Sequence, residues 1–235
     1  MQVKQTSEGI FVSQAKYAKD LVKRFGLDRK SHARIPMSTN VKISADLTSK
    51  QVDPALYRSM IGSLLYLMAS RPDIAFSVGV CARFQANPKE SHLTAVKSII
   101  RYVNATVNYG ICFSRETNLV LARYFDADWA GNADDRRSTS GGCFYVGTNL
   151  IAWMSRKHAS ISLSTAEAEY IAAGSCSNLE GQNPNEEMVW LETAVVETVR
   201  DTVGLNFLWL DHAKRNYDGF SIPGHNNLSR GYLPV

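Results

Sequence analysis

Near residue 119 the spacing of apolar residues changes from helical to alternating, and that change limits what the chain can fold into. Between residues 54 and 106 it is helical: Met60, Ile61, Leu64, Leu65 and Met68 form one stripe, and Leu93, Val96, Ile99, Ile100 and Val103 another. Pro54 after Asp53 suits a first helical turn, and the stripe stops before Arg71-Pro72-Asp73. A second helix is predicted from about Ile74 to Gln85, ended by Asn87-Pro88, and a third from near Ser91. From Leu119 the pattern alternates and strand formers dominate. Leu119 to Asp128 reads as a strand, Gly141 to Trp153 as a hairpin broken at Gly147-Thr148-Asn149, and Ala159 to Leu163 as a third strand before a helix opening at Ser164. Helices followed by strands indicate an α+β, mixed α/β, class.

The first fifty residues are simpler. Gly9 to Ser13 is β-branched and aromatic, so a strand is expected. Ser13 is the candidate cap of a helix whose stripe is Tyr17, Leu21, Val22 and Phe25, ending at Gly26. From Asp28 to Asp53 the residues are mostly polar or basic, and a loop is predicted.

A chain of 235 residues has room for one large or two small domains. No segment is long and apolar enough for a membrane helix, and Met1 to Gly9 is too polar for a secretory leader, so an intracellular, cytoplasmic or nuclear protein is expected. Cys81, Cys112, Cys143 and Cys176 form no CxxC pair and are read as reduced, buried thiols. The net charge of +4 is unevenly spread. Residues 1–120 hold 17 Lys+Arg against 8 Asp+Glu, a net of +9; residues 121–177 hold 5 against 6, and residues 178–235 hold 4 against 8. A basic front half suits a polyanion such as a nucleic-acid backbone, with Lys16, Lys19, Lys23 and Arg24 as the candidate contacts. Solvated helix faces would give the same pattern.

Two acidic clusters carry the candidate chemistry. A period of two puts Tyr124, Asp126 and Asp128 on one strand face, where paired carboxylates invite a divalent cation held by oxygen. Solvated acids beyond a strand ending near Phe125 are the alternative. In Ser164-Thr165-Ala166-Glu167, the spacing matches a capping box and makes Glu167 structural. Glu169 lies roughly 200° further round the helix, at about 100° per residue, and has no capping task. It is the better partner for Asp126.

Asp126-Ala127-Asp128-Trp129-Ala130-Gly131, Asp135 to Gly142, Leu150 to Trp153 and Ser164 to Tyr170 together resemble the ribonuclease H region of copia-type retrotransposon polyproteins. Gly9 to Gln14, Tyr57 to Gly62, Arg71 to Ile74 and Ala86 to Pro88 are similar to the part of that polyprotein after the reverse transcriptase catalytic motif. The resemblance implies a helical thumb- or connection-like segment over residues 1–110 and the front half of a ribonuclease H-like domain over residues 117–177. It also implies magnesium-dependent hydrolysis of the RNA strand of an RNA–DNA hybrid. Asp126 matches the family's first metal-binding aspartate and Glu169 its helix glutamate, so both are implied as catalytic and metal-binding.

The resemblance places the family's paired polymerase aspartates before residue 1, so no polymerase activity is expected. Residues 178–235 form an unrecognised, divergent tail. Glu186 to Thr202 reads as an amphipathic helix, and the strand-like Leu205 to Leu210 delivers Asp211, a candidate third metal ligand; His225 reads as a solvated loop residue. The family's further strand, ending in an Asp-Asn pattern, has no counterpart there. The sequence therefore reads as a retrotransposon remnant with an incomplete nuclease centre, or as a non-catalytic nucleic-acid binder, or as a weakened magnesium-dependent nuclease. No small-molecule cofactor is implied.

Overall fold

The computed structural model describes residues 1–38 and 42–177, and the expected helix at Glu186 to Thr202, the strand at Leu205 to Leu210, Asp211 and His225 lie outside them. Strands β1 (Gln2–Gln5) and β2 (Gly9–Ser13) lead into helix α1 (Ala15–Arg24). After the long loop come α2 (Pro54–Leu67), two single 3-10 turns at Met68–Ser70 and Pro72–Ile74, α3 (Ala75–Ala82) and α4 (Glu90–Ala105). Strand β3 (Gly110–Ser114) follows, then β4 (Leu121–Asp128), β5 (Thr139–Val146), β6 (Asn149–Lys157) and α5 (Thr165–Ser177). The class is mixed α+β, with two antiparallel three-stranded sheets ordered β1-β2-β3 and β4-β5-β6. No helix among the described residues is long and apolar enough to cross a membrane.

The helical stripes form the core. Leu21, Val22, Tyr57, Met60, Ile61, Leu64, Ile74, Val78, Val96, Ile99, Ile100 and Val103 are all buried. Asp53 accepts from the Ala55 amide at 2.9 Å and so caps α2 one residue before Pro54, whose missing N–H costs nothing there. Leu65, placed on the α2 stripe by spacing, is exposed, and Leu67 takes the buried place. Gly26 supplies the left-handed turn that ends α1, with φ +66°.

Four expectations are corrected. Ser13 does not cap α1: its backbone closes the β2 ladder against Gln2 and Gly110, and Gln14 takes the cap position with its side chain turned to Ser70 and Tyr66. Ala159 to Leu163 is no strand. Its backbone is held singly by side chains, Ser162 O accepting from Trp129 Nε1 at 3.1 Å and Leu163 N donating to Glu167 at 2.7 Å, so no ladder forms. The second helix ends at Ala82 rather than near Gln85. Cys112 is exposed on β3 and Cys143 half-buried, and among the cysteines whose side chains are described only Cys81 matches the buried thiol. β1 and β3 carry no signal strong enough to read as strands in isolation; both owe their place to pairing with β2.

Asn149 stitches the two sheets together. Ser114 N donates to Asn149 Oδ1 at 2.7 Å and Ser114 O accepts from Asn149 Nδ2 at 3.1 Å, so an amide at the start of β6 imitates a strand neighbour for β3.

Candidate functional site

Asp126 sits near the end of β4 in register with Gly141, which leaves open space beside the exposed carboxylate. α5 begins next to that end, because its preceding loop is tied to Trp129 through Ser162. Within α5 the two glutamates divide as their spacing predicts. Glu167 N donates to Ser164 Oγ at 3.1 Å while its carboxylate accepts from Leu163 N, one residue short of a full capping box. Glu169 turns the other way, to β4, and its Oε1 accepts from Ala127 N at 3.3 Å. The structure thus brings Glu169 to the residue beside Asp126.

Asp128 has a different task. It accepts a hydrogen bond from Thr139 N across the β4–β5 turn, and its carboxylate fills the space where a Cβ at Gly131 would stand. Burial pushes its carboxyl upward, against the pull of the Thr139 amide and the Arg83 guanidinium. Arg83, a residue that spacing alone does not single out, donates to Thr139 Oγ1 at 2.7 Å and so ties the end of α3 to the start of β5. A cavity of about 220 Å³ lies beside this cluster, with Phe76, Arg83, Asp128 and Trp129 among its walls.

Asp126 and Glu169 have the right chemistry for magnesium, which takes oxygen ligands, but among the described residues the donor set falls short. Two magnesium ions bring four positive charges, and two carboxylates leave them poorly held. Among the described residues no three His, Cys, Asp or Glu side chains are grouped to hold a metal. The third expected ligand, Asp211, lies outside them. Lys16, Lys19, Lys23 and Arg24 are all exposed on α1, with Arg24 resting 5.6 Å from the Phe25 ring centre, and none is held in an ion pair among the described residues.

Fold and acids together define a mixed α+β protein with a carboxylate pair shared between a strand and a helix. Known proteins place it more closely. The Retrovirus-related Pol polyprotein from transposon RE1 of Arabidopsis thaliana is 36% identical over 197 residues, which is 84% of this chain and 13% of the polyprotein. That from transposon TNT 1-94 of Nicotiana tabacum is 36% identical over 200 residues, 82% of this chain and 14% of the polyprotein. The uncharacterized mitochondrial protein AtMg00810 of Arabidopsis thaliana is 34% identical over 174 residues, covering 73% of this chain and 71% of that protein. No protein-family model and no solved structure matches. The chain is a homologue of retrovirus-related Pol polyproteins of plant transposons, and it spans about one seventh or less of the transposon polyproteins named here.

Proposed function

We propose that the chain is a remnant of a copia-type reverse transcriptase and ribonuclease H polyprotein. Residues 1–110 are the post-catalytic part of the reverse transcriptase, residues 117–177 the front half of a ribonuclease H-like domain, and residues 178–235 a divergent tail. The ancestral reaction is hydrolysis of the RNA strand of an RNA–DNA hybrid, and the centre is catalytically incomplete. The observation that carries this reading is the pairing of Glu169 with the Ala127 amide next to Asp126, while Asp128 is committed to Thr139. Among the described residues the carboxylates that could serve as ligands are therefore two, and neither transition-state charge nor metal is well balanced by two. Purified protein given magnesium and a labelled hybrid is expected to cleave no faster than its Asp126→Asn variant. Cleavage that Asp126→Asn abolishes would show a complete centre and overturn the reading.

The exposed row of Lys16, Lys19, Lys23 and Arg24 favours a second reading, a non-catalytic nucleic-acid binder. Hybrid binding is then expected to weaken steeply with salt, and replacing the four cations by Gln to flatten that dependence. Binding indifferent to salt would exclude it.

A further inference from the structure

We propose that His92 is a proton-operated latch that holds residues 42–45 across the space between α4 and the β4–β5 loop. The segment is tied on both sides. On the loop side, Lys42 Nζ donates to Ala130 O at 2.7 Å, and Ala45 N donates to the Asp134 carboxylate at 2.8 and 3.1 Å. On the helix side, Ser44 O accepts from His92 Nε2 at 2.7 Å. His92 is fully buried in the first turn of α4, and its ring stacks on Phe84 with centres 4.1 Å apart. Its other nitrogen, Nδ1, accepts from Lys89 N at 3.0 Å.

The partners fix the protonation state. A backbone N–H can only donate and a carbonyl can only accept, so the seated ring is neutral with its hydrogen on Nε2. A second proton would go to Nδ1, where it would point at the Lys89 N–H, donor against donor. It would also charge a ring without solvent at a helix N-terminus, whose free amides already carry partial positive charge. Charged side chains on the packed elements are Lys89 and Glu90 at the start of α4, Asp46 just after the held segment, Lys42 and Asp134 at its far side, and Arg83 just before Phe84. Neither Asp46 nor Asp134 neutralises the ring: the first accepts from Thr48 and Ser49, the second from Ala45. Charging His92 therefore expels the ring, and Ser44 loses its donor. Residues 42–45 then hang from the β4–β5 loop alone, which follows Asp126 and Asp128 in the chain, and without the tie to α4 the contact of Ala45 N with Asp134 opens more often. Histidine is the side chain suited to such a change between about pH 5 and pH 8.

The test follows the full chain by NMR, reading the ring nitrogens of His92 and the hydrogen exchange of the Lys89 and Ala45 amides, corrected for intrinsic rates. Between about pH 8 and pH 5, exchange at both amides is expected to rise on the order of tenfold, in step with protonation of His92 Nδ1. His92→Phe keeps the Phe84 stack and removes both hydrogen bonds, so both amides should exchange fast already at the upper pH, with no pH response. Unchanged protection in the wild-type chain as Nδ1 takes its proton overturns the latch. So does a pH response that persists in His92→Phe, which moves the sensor elsewhere. The ring-nitrogen reading needs only the wild-type chain, so the proposal stays decidable if the variant does not fold.

Discussion

The helical layer and the β4–β6 sheet are stabilised by different forces. The layer's core cluster is sixteen buried residues between Ala18 and Val103, all hydrophobic. Along β4, β5 and β6 the buried residues are Thr139, Ser140 and Gly142, with no large apolar side chain among them. Apolar groups at and beside the sheet, Leu119, Val120, Leu121 and Tyr124, are exposed instead. What holds the sheet region is polar: Asp128 and Arg83 on Thr139, Ser138 on the Ala130 amide, His158 on Ser140, and Asn149 on Ser114. Substitutions in the layer should therefore act by opening cavities, and those in the sheet by stranding hydrogen-bonding groups.

Arg71 breaks the division most sharply, and it gives the largest predicted effect. Arg71 lies in the layer with its side chain 2% exposed, yet it is charged. Its guanidinium meets both Asp73 oxygens at 2.8 and 2.7 Å and reaches Thr106 O at 3.0 Å and Thr106 Oγ1 at 2.7 Å. Tyr102 and Tyr109 stand 5.6 and 5.5 Å from it, and Tyr102 also donates to Asp73. Removing a buried partner leaves the other charge unmet, so Arg71→Leu should destabilise by about 3–5 kcal/mol in denaturant unfolding. Arg71→Lys should recover only part of this, since a point charge cannot make the bidentate contact. A loss under about 1 kcal/mol would show that the network is not held in solution.

Cavity formation comes next. Leu64 is fully buried among layer residues, and Leu64→Ala should cost about 3 kcal/mol. Phe125, half-buried on β4, should lose less on truncation to Ala, about 1 kcal/mol. Equal losses at the two positions would erase the contrast between layer and sheet.

That contrast also explains what the sequence makes legible. Helical spacing reports burial, so α2 and α4 are readable to within a few residues, and the β5–β6 hairpin is readable from Gly147-Thr148-Asn149. Glu167 and Glu169 separate correctly because capping spacing and helix angle are local. Arg71-Pro72-Asp73 reads only as a helix stop, since the contacts of Arg71 with Thr106 and Tyr109 span more than thirty residues. Asp128 is indistinguishable from Asp126 by period; the difference is made by Gly131 and the Thr139 amide, which the fold brings in. His92 reads as one more polar residue of a helix because its partner on the far side, Ser44, belongs to a loop without a pattern.

The stitch between the sheets should give a moderate effect. Asn149→Ala strands both the amide and the carbonyl of Ser114, a loss of about 1–2 kcal/mol by thermal unfolding. Asn149→Asp keeps the acceptor and loses the donor, so hydrogen exchange should deprotect the Ser114 amide less than in Asn149→Ala. Equal deprotection in the two variants would mean that sheet contacts other than this amide join β3 to β6.

The smallest effect is a pH slope, and its sign is fixed by burial. His158 shares a 2.6 Å hydrogen bond between Nε2 and Ser140 Oγ, and its buried Nδ1 has no partner among the described residues. Burial lowers its pKa, with Asp128 opposing only in part, so the folded chain prefers the neutral ring. The unfolded chain takes the proton first as pH falls below the ordinary histidine value, about 6.5. The stabilisation is therefore complete above that value and is lost as pH falls through the lowered one. Asp128, whose carboxyl is raised, has the opposite sign: its protonated form suits the fold, and stability attached to it is lost as pH rises through the carboxylate range. His158→Gln can keep a bond to Ser140 and should remove part of the fall in melting temperature between about pH 7 and pH 5, on the order of 1 kcal/mol or less. In a His92→Phe background the same substitution should remove the same increment, because the two rings touch different loops and independent sites add. An increment that disappears in that background would join the two histidines into one network and make the sheet's polar lock and the α4 latch a single device.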